Sequence, residues 1–277
     1  MRTLLAIALL LAQDPPAADV RIEKDVDSLG ADRKEKLDLY LPTTPAPEKG
    51  FPAVLIIHGG GWTGGDKGAE RERNIGTILA RAGYVCASVN YVLAEKAGGR
   101  GATLAQVWPR NLHDCKTAVR FLRKHAAKYR IDAERIGAIG GSAGGHLAAM
   151  VAMTAPEDGL DPKAPWGEIS CRVQAVVPMY GPHDLTGTGD DADLLKRASP
   201  VTYATKDDPP ALILHGTKDT TVPLAQSEKL AEALKKAGVE QELVVVEGAP
   251  HSFHLEPKGH DLRPKVVGFF DRHLKRR

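Results

Sequence analysis

Cysteine is scarce in this 277-residue sequence: there are three, none in a C-x-x-C pair and none in a spaced His/Cys cluster. Three cysteines cannot form a disulfide framework, and without such a cluster the sequence does not indicate a structural metal. Cys86 falls in a strand-like run, Cys115 in a helical run and Cys171 just ahead of a strand. We therefore expect buried thiols, with one disulfide pair as the alternative.

An excess of charge of either sign is also missing, and aromatic residues are few. The formal net charge is +2, without a basic stripe, which gives no support to nucleic acid as a partner. Aromatic residues make up 5% of the chain, a low content for an extended sugar-binding surface. Trp62, Trp108 and Trp166 could stack on sugar faces or simply pack, and the sequence does not indicate an oligomeric state.

The longest apolar run lies at the N-terminus, where Arg2 precedes an apolar stretch from Leu4 to Ala12 that two prolines follow. The stretch is too short to span a bilayer and is typical of a secretory signal. We expect residues 1–18 to be a signal peptide and leader. The protein should then be secreted or periplasmic, without an integral membrane span in the mature chain. An uncleaved N-terminal anchor is the alternative.

Residues 19–277 have the length of one large domain and alternate apolar strand-like runs with helix-like runs. This alternation predicts an α/β fold with a mostly parallel central sheet and helices on both faces. RIEKDV and KLDLYLP predict an antiparallel N-terminal edge. The strands predicted after these are AVLIIHG, YVCASVNY, RIGAIGG, VQAVVPMY, ALILHG and ELVVVEG, and the predicted helices are Glu70–Ala82, Asn111–Tyr129, Ala143–Thr154, Pro223–Ala237 and one near Leu262–Leu274.

Two segments do not fit this alternation. Leu93–Val107 is glycine-rich and too long for a tight connection, and His183–Ser199 follows a strand and interrupts the expected helix. Long excursions in a compact domain are usually functional or mobile, and a tolerated surface insertion is the alternative for each.

The predicted strand RIGAIGG leads into Ser142, after which a helix-like run begins, so that GGSAG fits the pattern G-x-S-x-G. A nucleophile on such a turn has a strained backbone, and its neighbours two residues away, Gly140 and Gly144, must be small to avoid clashes. The turn also places the hydroxyl at a helix N-terminus, which favours a developing anion. The pattern alone is weak, because a glycine-rich turn without chemistry is the alternative.

A serine hydroxyl needs a base to take its proton, and the base needs an orienting carboxylate. Asp219 follows the predicted strand ALILHG and His251 follows ELVVVEG, so both are expected beyond the carboxyl ends of parallel strands. The order Ser142, Asp219, His251 is that of the α/β-hydrolase fold. The competing side chains are the carboxylates of Asp184, Asp207 and Asp208 and the imidazole of His254.

A glycine-rich bend, HGGGW, follows the predicted strand AVLIIHG. Its backbone N–H groups can point inward without side chains in the way, and with the N–H of Ala143 they could hold the oxyanion of a tetrahedral intermediate. We predict an oxyanion hole from Gly60, Gly61 and Ala143, with Trp62 as an alternative donor in place of one glycine. His58 is expected to hold the loop by hydrogen bonding and not to act as a base.

These motifs together resemble a known family. HGGGW with the following GGDK, GGSAGGHLA, ILHGTKDTTVP and EGAPHSF are similar to segments of the α/β-hydrolase esterases, in the acetyl- and feruloyl-esterase-like branch related to the hormone-sensitive-lipase group. The resemblance extends from about Lys36 to Leu274 and includes Asp114 in WPRNLHDCKTAVRFL. One departure is Val92, which stands where the family often has arginine.

The resemblance implies the α/β-hydrolase fold and a serine esterase that uses acyl transfer in two steps, without a metal or organic cofactor. The implied substrates are acetyl or feruloyl esters of plant polysaccharide, or small esters. The alternatives are an amidase or peptidase of the same fold, kynurenine-formamidase-like or prolyl-peptidase-like, and a catalytically silent hydrolase-fold binding protein. The implied catalytic residues are Ser142, Asp219 and His251, and the implied oxyanion-hole residues are Gly60, Gly61 and Ala143.

Overall fold

Eight strands form one sheet in the computed structural model, which describes residues 19–30, 32–95, 98–189 and 191–275. The strands are β1 (Val20–Val26), β2 (Leu37–Pro42), β3 (Phe51–Ile57), β4 (Val85–Val89), β5 (Ile131–Gly141), β6 (Ala175–Met179), β7 (Ala211–Lys218) and β8 (Gln241–Pro250). Their order across the sheet is β1-β2-β4-β3-β5-β6-β7-β8. β2 pairs antiparallel with β1 and β4, and the other neighbours are parallel. The predicted signal peptide and leader, residues 1–18, lie outside the described residues.

Helices cover both faces of this sheet. They are α1 (Glu70–Arg81), α2 (Arg100–Val107), α3 (Arg110–Lys124), α4 (Ala126–Tyr129), α5 (Ala143–Met153), α6 (Ala192–Arg197), α7 (Ala225–Ala237) and α8 (Arg263–Leu274), with 3₁₀ turns at Pro156–Asp158 and Pro200–Tyr203. In the part of the chain that the structure describes, no helix combines the length and the apolar character needed to cross a membrane.

The central strands are buried on both faces, as the continuous apolar runs predict. On β3, Val54 and Ile56 belong to the core that α1 and α8 close, while Leu55 and Ile57 belong to the core that α3, α5 and α7 close. Alternation of side chains along a strand sends neighbouring residues to opposite faces, so every position of such a strand must be apolar. The predicted fold class is confirmed: a mostly parallel sheet between helices, with an antiparallel N-terminal edge.

The predicted helix Asn111–Tyr129 is two helices, so its continuity was predicted wrongly. α3 ends at Lys124 and α4 begins at Ala126, with His125 between them at φ −102° and ψ 19°. The His125 ring donates from Nδ1 to the carbonyl oxygen of Phe121 at 3.0 Å. The backbone N–H of His125 donates to the same carbonyl at 3.0 Å, so α3 ends with a bonded last turn and the break lies in the backbone angles of His125.

The two segments that do not fit the alternation each contain a helix, α2 in Leu93–Val107 and α6 in His183–Ser199. The two helices contact each other. A Cβ on Gly101 would lie 3.7 Å from the Cα of Gly189 and 3.8 Å from the Leu195 side chain. The segments that follow β4 and β6 are therefore in van der Waals contact at these two glycines.

All three cysteines, Cys86, Cys115 and Cys171, are buried free thiols, which confirms the expectation. Burial raises the pKa of each thiol, to about 11 for Cys171. Because the thiolate is the reactive form, these cysteines are inert structural residues at neutral pH.

A buried carboxylate on α3, that of Asp114, holds the connection between β1 and β2. Arg33 donates to its two oxygens at 3.0 and 2.7 Å, and the backbone N–H of Val92 donates to the second at 2.8 Å. Arg33 therefore brings a guanidinium beside Val92, the position where the resembled family often has arginine. The bidentate geometry makes this one of the stronger polar contacts in the fold.

We expect Arg33→Gln to lower the free energy of unfolding by about 2 kcal/mol, because the Asp114 side chain, 5% exposed, would remain charged without a cation. The loss is smaller than for a fully buried pair, since the Arg33 side chain is 37% exposed. Urea unfolding of both proteins measures the difference. Arg21→Gln is the matched control: Arg21 pairs with Glu23 at the surface and should contribute less than about 0.5 kcal/mol. Equal losses for the two variants would contradict this assignment.

Candidate active site

Ser142 is the single residue between β5 and α5, and its backbone is strained. Its φ of 58° and ψ of −122° lie in a region that residues other than glycine rarely adopt. The Ser142 N–H donates to the carbonyl oxygen of Met179, at the end of β6, at 2.9 Å. This bond attaches the turn to the neighbouring strand and holds the hydroxyl at the carboxyl edge of the sheet.

Close packing explains the glycines on either side of this turn. A Cβ on Gly140 would lie 2.6 Å from the carbonyl carbon of Gly144, and a Cβ on Gly144 would lie 2.5 Å from the carbonyl oxygen of His58. Neither distance is compatible with a side chain. The first turn of α5 therefore lies directly against the end of β3, and the expectation that both positions must be small is confirmed.

The structure brings the three predicted triad residues together at this edge. His251, just after β8, has its Nε2 2.9 Å from Ser142 Oγ and its Nδ1 2.6 Å from Asp219 Oδ2. With Nδ1–H donating to the carboxylate, Nε2 presents its lone pair to the hydroxyl. The three residues thus form one continuous hydrogen-bonded chain from a partly exposed hydroxyl to a buried anion.

The Asp219 side chain is fully buried, and its two oxygens are occupied. Oδ1 accepts the backbone N–H groups of Thr221 and Val222, both at 2.9 Å, while Oδ2 faces His251. Hydrogen bonds of this kind compensate the loss of water around a carboxylate. They also fix the direction in which the carboxylate faces the imidazole.

His215 on β7 is a residue of this site that the sequence analysis missed. Its Nε2 donates to the Val222 carbonyl oxygen at 2.9 Å and lies 3.3 Å from Asp219 Oδ2, and its Nδ1 accepts the Ser227 hydroxyl at 2.7 Å. His215 therefore helps to position Asp219 Oδ2, the carboxylate oxygen that faces His251. The signal in the sequence is its position four residues before Asp219, at the end of a strand.

Arg71 and Tyr180 are two further residues of the site that sequence patterns do not reveal. Arg71 Nη1 donates to the Tyr180 hydroxyl at 3.0 Å, and that hydroxyl donates to the Phe253 carbonyl oxygen at 2.8 Å. The Tyr180 ring meets His251 edge to face, with ring centroids 5.1 Å apart. A Cβ on Gly141 would lie 2.8 Å from Arg71 Nη1, so the guanidinium lies directly beneath the serine turn.

The competing side chains lie elsewhere. Asp184 pairs with Lys229 at 2.6 Å. Asp208 accepts the backbone N–H of Thr205 at 2.8 Å. His254 lines a different cavity, together with His58. The side chain of Asp207 is exposed and makes no hydrogen bond with the described residues.

The HGGGW loop borders a cavity of about 310 Å³ beside Ser142. Gly61, Trp62 and Ala143 line this cavity, whereas Gly60 lines a separate one on the other side of the loop. Gly61 and Trp62 have positive φ values of 62° and 61°. No acceptor in the described residues takes the backbone N–H of Gly61 or Ala143.

The side chains around this loop are packed. The His58 ring stacks on Tyr91 at 4.3 Å and donates from Nδ1 to the Gly59 carbonyl oxygen at 2.7 Å, in keeping with a structural role. The indoles of Trp62 and Trp108 both lie against His146, with ring centroids 5.3 and 6.1 Å from the imidazole. Trp166 packs on Phe121 and His125 instead, so all three tryptophans have packing contacts.

Four fully buried histidines surround the site: His58 after β3, His146 on α5, His183 after β6 and His215 on β7. Burial lowers the pKa of each imidazole, to about 4 for His146. The four rings are therefore neutral near physiological pH. Among the described residues, no cluster of three His, Cys, Asp or Glu side chains is arranged to hold a metal ion.

These histidines predict that the protein is destabilised by acid. Their pKa values are lower in the fold than the ordinary value of 6.5, so their stabilising contribution is complete above about pH 6.5 and is lost as the pH falls. Asp114 and Asp208 act in the opposite direction, because burial raises their pKa, to about 6 for Asp208. Each imidazole that takes up a proton only on unfolding lowers the free energy of unfolding by up to about 1.4 kcal/mol per pH unit below about pH 6. Urea unfolding between about pH 8 and about pH 5 measures this slope.

The variant His183→Leu removes one of these imidazoles, whose two nitrogens have no hydrogen-bond partner among the described residues. The slope below about pH 6 should become shallower by about 1.4 kcal/mol per pH unit. His260→Gln is the control, because the His260 side chain is exposed and should leave the slope unchanged. If the free energy of unfolding did not vary between about pH 8 and about pH 5, the buried imidazoles would bind protons in the folded state as well as in the unfolded state. That result would contradict the prediction.

Comparison with known protein families identifies relatives over most of the chain. The family model BD-FAE matches residues 37–193 and 186–234. The Esterase LipQ of Mycobacterium tuberculosis is 31% identical over 80% of this chain and 55% of its own length. The Esterase LipC of the same organism is 30% identical over 82% of this chain and 59% of its own length. The chain thus spans about half the length of the curated relatives it matches.

Two solved structures are similar to this chain over nearly its whole length. A truncated form of a carbohydrate esterase from gut microbiota has a TM-score of 0.81 at 26% identity, over 94% of this chain and 98% of that one. Esterase 2 of Thermogutta terrifontis phosphorylated by paraoxon has a TM-score of 0.68 at 30% identity, over 96% of each chain. Considered with the family match and the site geometry, these similarities lead to one conclusion: the chain belongs to the BD-FAE family and has the α/β-hydrolase fold.

Proposed function

We propose that the protein is a carboxylic ester hydrolase that acts through an acyl-enzyme on Ser142. The observation that carries the proposal is the chain of hydrogen bonds from Ser142 Oγ to His251 and from His251 to the buried carboxylate of Asp219. A hydroxyl, a base and an orienting carboxylate in this order are what nucleophilic acyl transfer requires. The curated relatives and solved neighbours named esterases support the same activity.

In the first step, His251 Nε2 takes the proton of Ser142 as Oγ attacks the ester carbonyl carbon. The imidazole becomes a cation, and the carboxylate of Asp219, 2.6 Å from Nδ1, stabilises that charge. Because Asp219 Oδ1 is already bound by two backbone N–H groups, the carboxylate does not have to reorient during the reaction.

The oxyanion of the tetrahedral intermediate needs donors on the side of Ser142 that faces the cavity. We propose that the backbone N–H groups of Ala143 and Gly61 supply two of them, whereas Gly60, the third predicted donor, lines a different cavity. Ala143 and Gly61 line the same cavity as Ser142, and neither gives its N–H to an acceptor in the described residues. Each such donor typically contributes about 3 kcal/mol to the lowering of the barrier.

Collapse of the intermediate breaks the bond to the alcohol oxygen, which takes the proton from His251. A water molecule then gives a proton to the same imidazole as its oxygen attacks the acyl carbon. The second tetrahedral intermediate collapses with release of the acid, and the proton returns from His251 to Ser142 Oγ. The two halves of the reaction use the same groups, so one site serves both.

We expect Ser142→Ala and Asp219→Asn each to reduce kcat on 4-nitrophenyl acetate by about 10⁴-fold or more. The alanine removes the nucleophile. The asparagine turns an amide N–H towards His251 Nδ1, which places a proton on Nε2 and leaves no lone pair for the serine hydroxyl. Steady-state rates with each purified variant give the measurement.

Asp208→Asn is the matched control, because Asp208 bonds to Thr205 in another loop, and its rate should stay within about twofold of wild type. Esterase 2 of T. terrifontis is phosphorylated by paraoxon. The same reagent should therefore inactivate this protein and add one diethylphosphoryl group to Ser142, visible by mass spectrometry. A Ser142→Ala variant as active as wild type would refute the mechanism.

We propose further that the substrates are acetyl or feruloyl esters on plant polysaccharide or small alcohols. The cavity of about 310 Å³ beside Ser142 has room for such an acyl group. The solved neighbour named a carbohydrate esterase supports a sugar as the alcohol part. Ser142 Oγ attacks the carbonyl carbon of an acetyl ester and of a feruloyl ester in the same way. The mechanism therefore does not determine which of the two acyl groups is preferred.

We expect the enzyme to release acetate from acetylated xylan or ferulate from methyl ferulate, and to leave N-formylkynurenine and dipeptide amides intact. An amide carbonyl is less electrophilic, and its nitrogen must be protonated before it can leave. Product release with wild type and with Ser142→Ala measures the preference. Faster turnover of the amides than of the esters would assign the same site to an amidase.

A further inference from the structure

The cavity beside Ser142 is lined by one positively charged residue and otherwise by uncharged residues. Arg100, the first residue of α2, lines it together with Ser142 and Ala143. Among the described residues that line this cavity, Arg100 is the only one with a charged side chain. The other lining residues, among them Ser142, Ala143 and Trp62, carry no charge.

The Arg100 guanidinium is held in place but uses few of its donors. Nη2 donates to the carbonyl oxygen of Thr221 at 3.1 Å. The N–H of the same Thr221 donates to Asp219 Oδ1 at 2.9 Å. Arg100 is therefore attached to the turn that fixes Asp219, and its position relative to the reacting hydroxyl is set by that turn.

No acidic side chain among the described residues forms an ion pair with Arg100, and its one hydrogen bond leaves most of its five N–H groups available. The backbone behind it is fixed too, because the next residue, Gly101, packs against Gly189 and Leu195 on the segment of α6. A cation that has no acidic partner among the described residues, and that lines the same cavity as the reacting hydroxyl, is typical of a group that binds a ligand anion.

We propose that Arg100 binds a carboxylate of the substrate, so that among the esters proposed above those that also carry an ionised acid group are preferred. This rests on the proposed ester hydrolysis at Ser142. The planar guanidinium accommodates a carboxylate with two parallel hydrogen bonds. The carboxylate takes no part in bond making or breaking; it orients the ester so that its carbonyl lies at Ser142.

Two pairs of neutral and anionic esters test the proposal. Acetylated 4-hydroxybenzoate and acetylated 4-hydroxybenzamide place the charge on the alcohol part. Monomethyl terephthalate and its carboxamide analogue place it on the acyl part. The rigid para arrangement prevents the carboxylate from attacking its own ester. For each pair, the ratio of kcat/KM for the anionic to the neutral ester is measured in wild type and in variants.

We expect the ratio for at least one pair to fall about tenfold in Arg100→Gln, with the change mainly in KM, because a charge-assisted bidentate contact is lost. Arg100→Lys should recover part of the ratio, since it restores the charge without the bidentate geometry. Arg100→Glu should lower it further, because like charges repel. In wild type the ratio should also decline with added salt.

Arg110→Gln is the matched control. Arg110 is an exposed arginine that lines a different cavity, so the variant makes the same change in net charge and should leave both ratios unchanged. Ratios that are the same in wild type, Arg100→Gln and Arg110→Gln, with neutral esters hydrolysed, would overturn the proposal for Arg100 and leave ester hydrolysis in place.

If none of the esters is hydrolysed, the proposed function is wrong, and the subsite is tested by binding alone. Calorimetry with terephthalate should then show weaker binding to Arg100→Gln than to wild type. Equal affinity, or no affinity in either protein, would overturn the subsite.

Discussion

The buried carboxylate of Asp219 is the interaction on which the rest of the site depends. An ion removed from water is stable only if hydrogen bonds replace its hydration. Here Thr221 and Val222 supply backbone donors to one oxygen, and the His251 ring supplies a donor to the other. The bonds to Thr221 and Val222 therefore stabilise the turn after β7. The bond to His251 Nδ1 orients the imidazole after β8, so that its Nε2 faces Ser142.

The strained turn at Ser142 is maintained by the packing around it. Ser142 has a positive φ because the end of β3, the end of β6 and the first turn of α5 leave no other path for the chain. Gly144 lies against the carbonyl of His58, and the N–H of Ser142 is bonded to Met179. Parallel strands bring these ends to one edge, so a sheet built from apolar runs also determines where the chemistry can occur.

Much of this architecture could be predicted from the sequence because it depends on local patterns. Each predicted strand has a counterpart in the sheet, and the order of Ser142, Asp219 and His251 after their strands places them at one edge. The helix α2 could not be predicted: it begins after Gly99 without a side-chain cap, and packing against α6 stabilises it. Tertiary contacts override weak local preferences in such segments.

The supporting residues of the site could not be predicted for a related reason. Arg71 and Tyr180 are 109 residues apart in the chain, and Arg33 and Asp114 are 81 residues apart. Neither pair has a spacing that a periodic pattern would reveal. Their partners are determined by which strands become neighbours, so these contacts are known only once the sheet order is known.

The close contact between Gly101 and Gly189 has a mechanical consequence. The residue after Arg100 lies directly against the backbone of Gly189 and the side chain of Leu195. The cavity wall that carries Gly99, Arg100 and Thr103 is therefore supported from outside by a segment that does not itself line the cavity. A side chain larger than alanine at Gly101 would press on Gly189 and Leu195, and so would alter the substrate cavity from a position outside it.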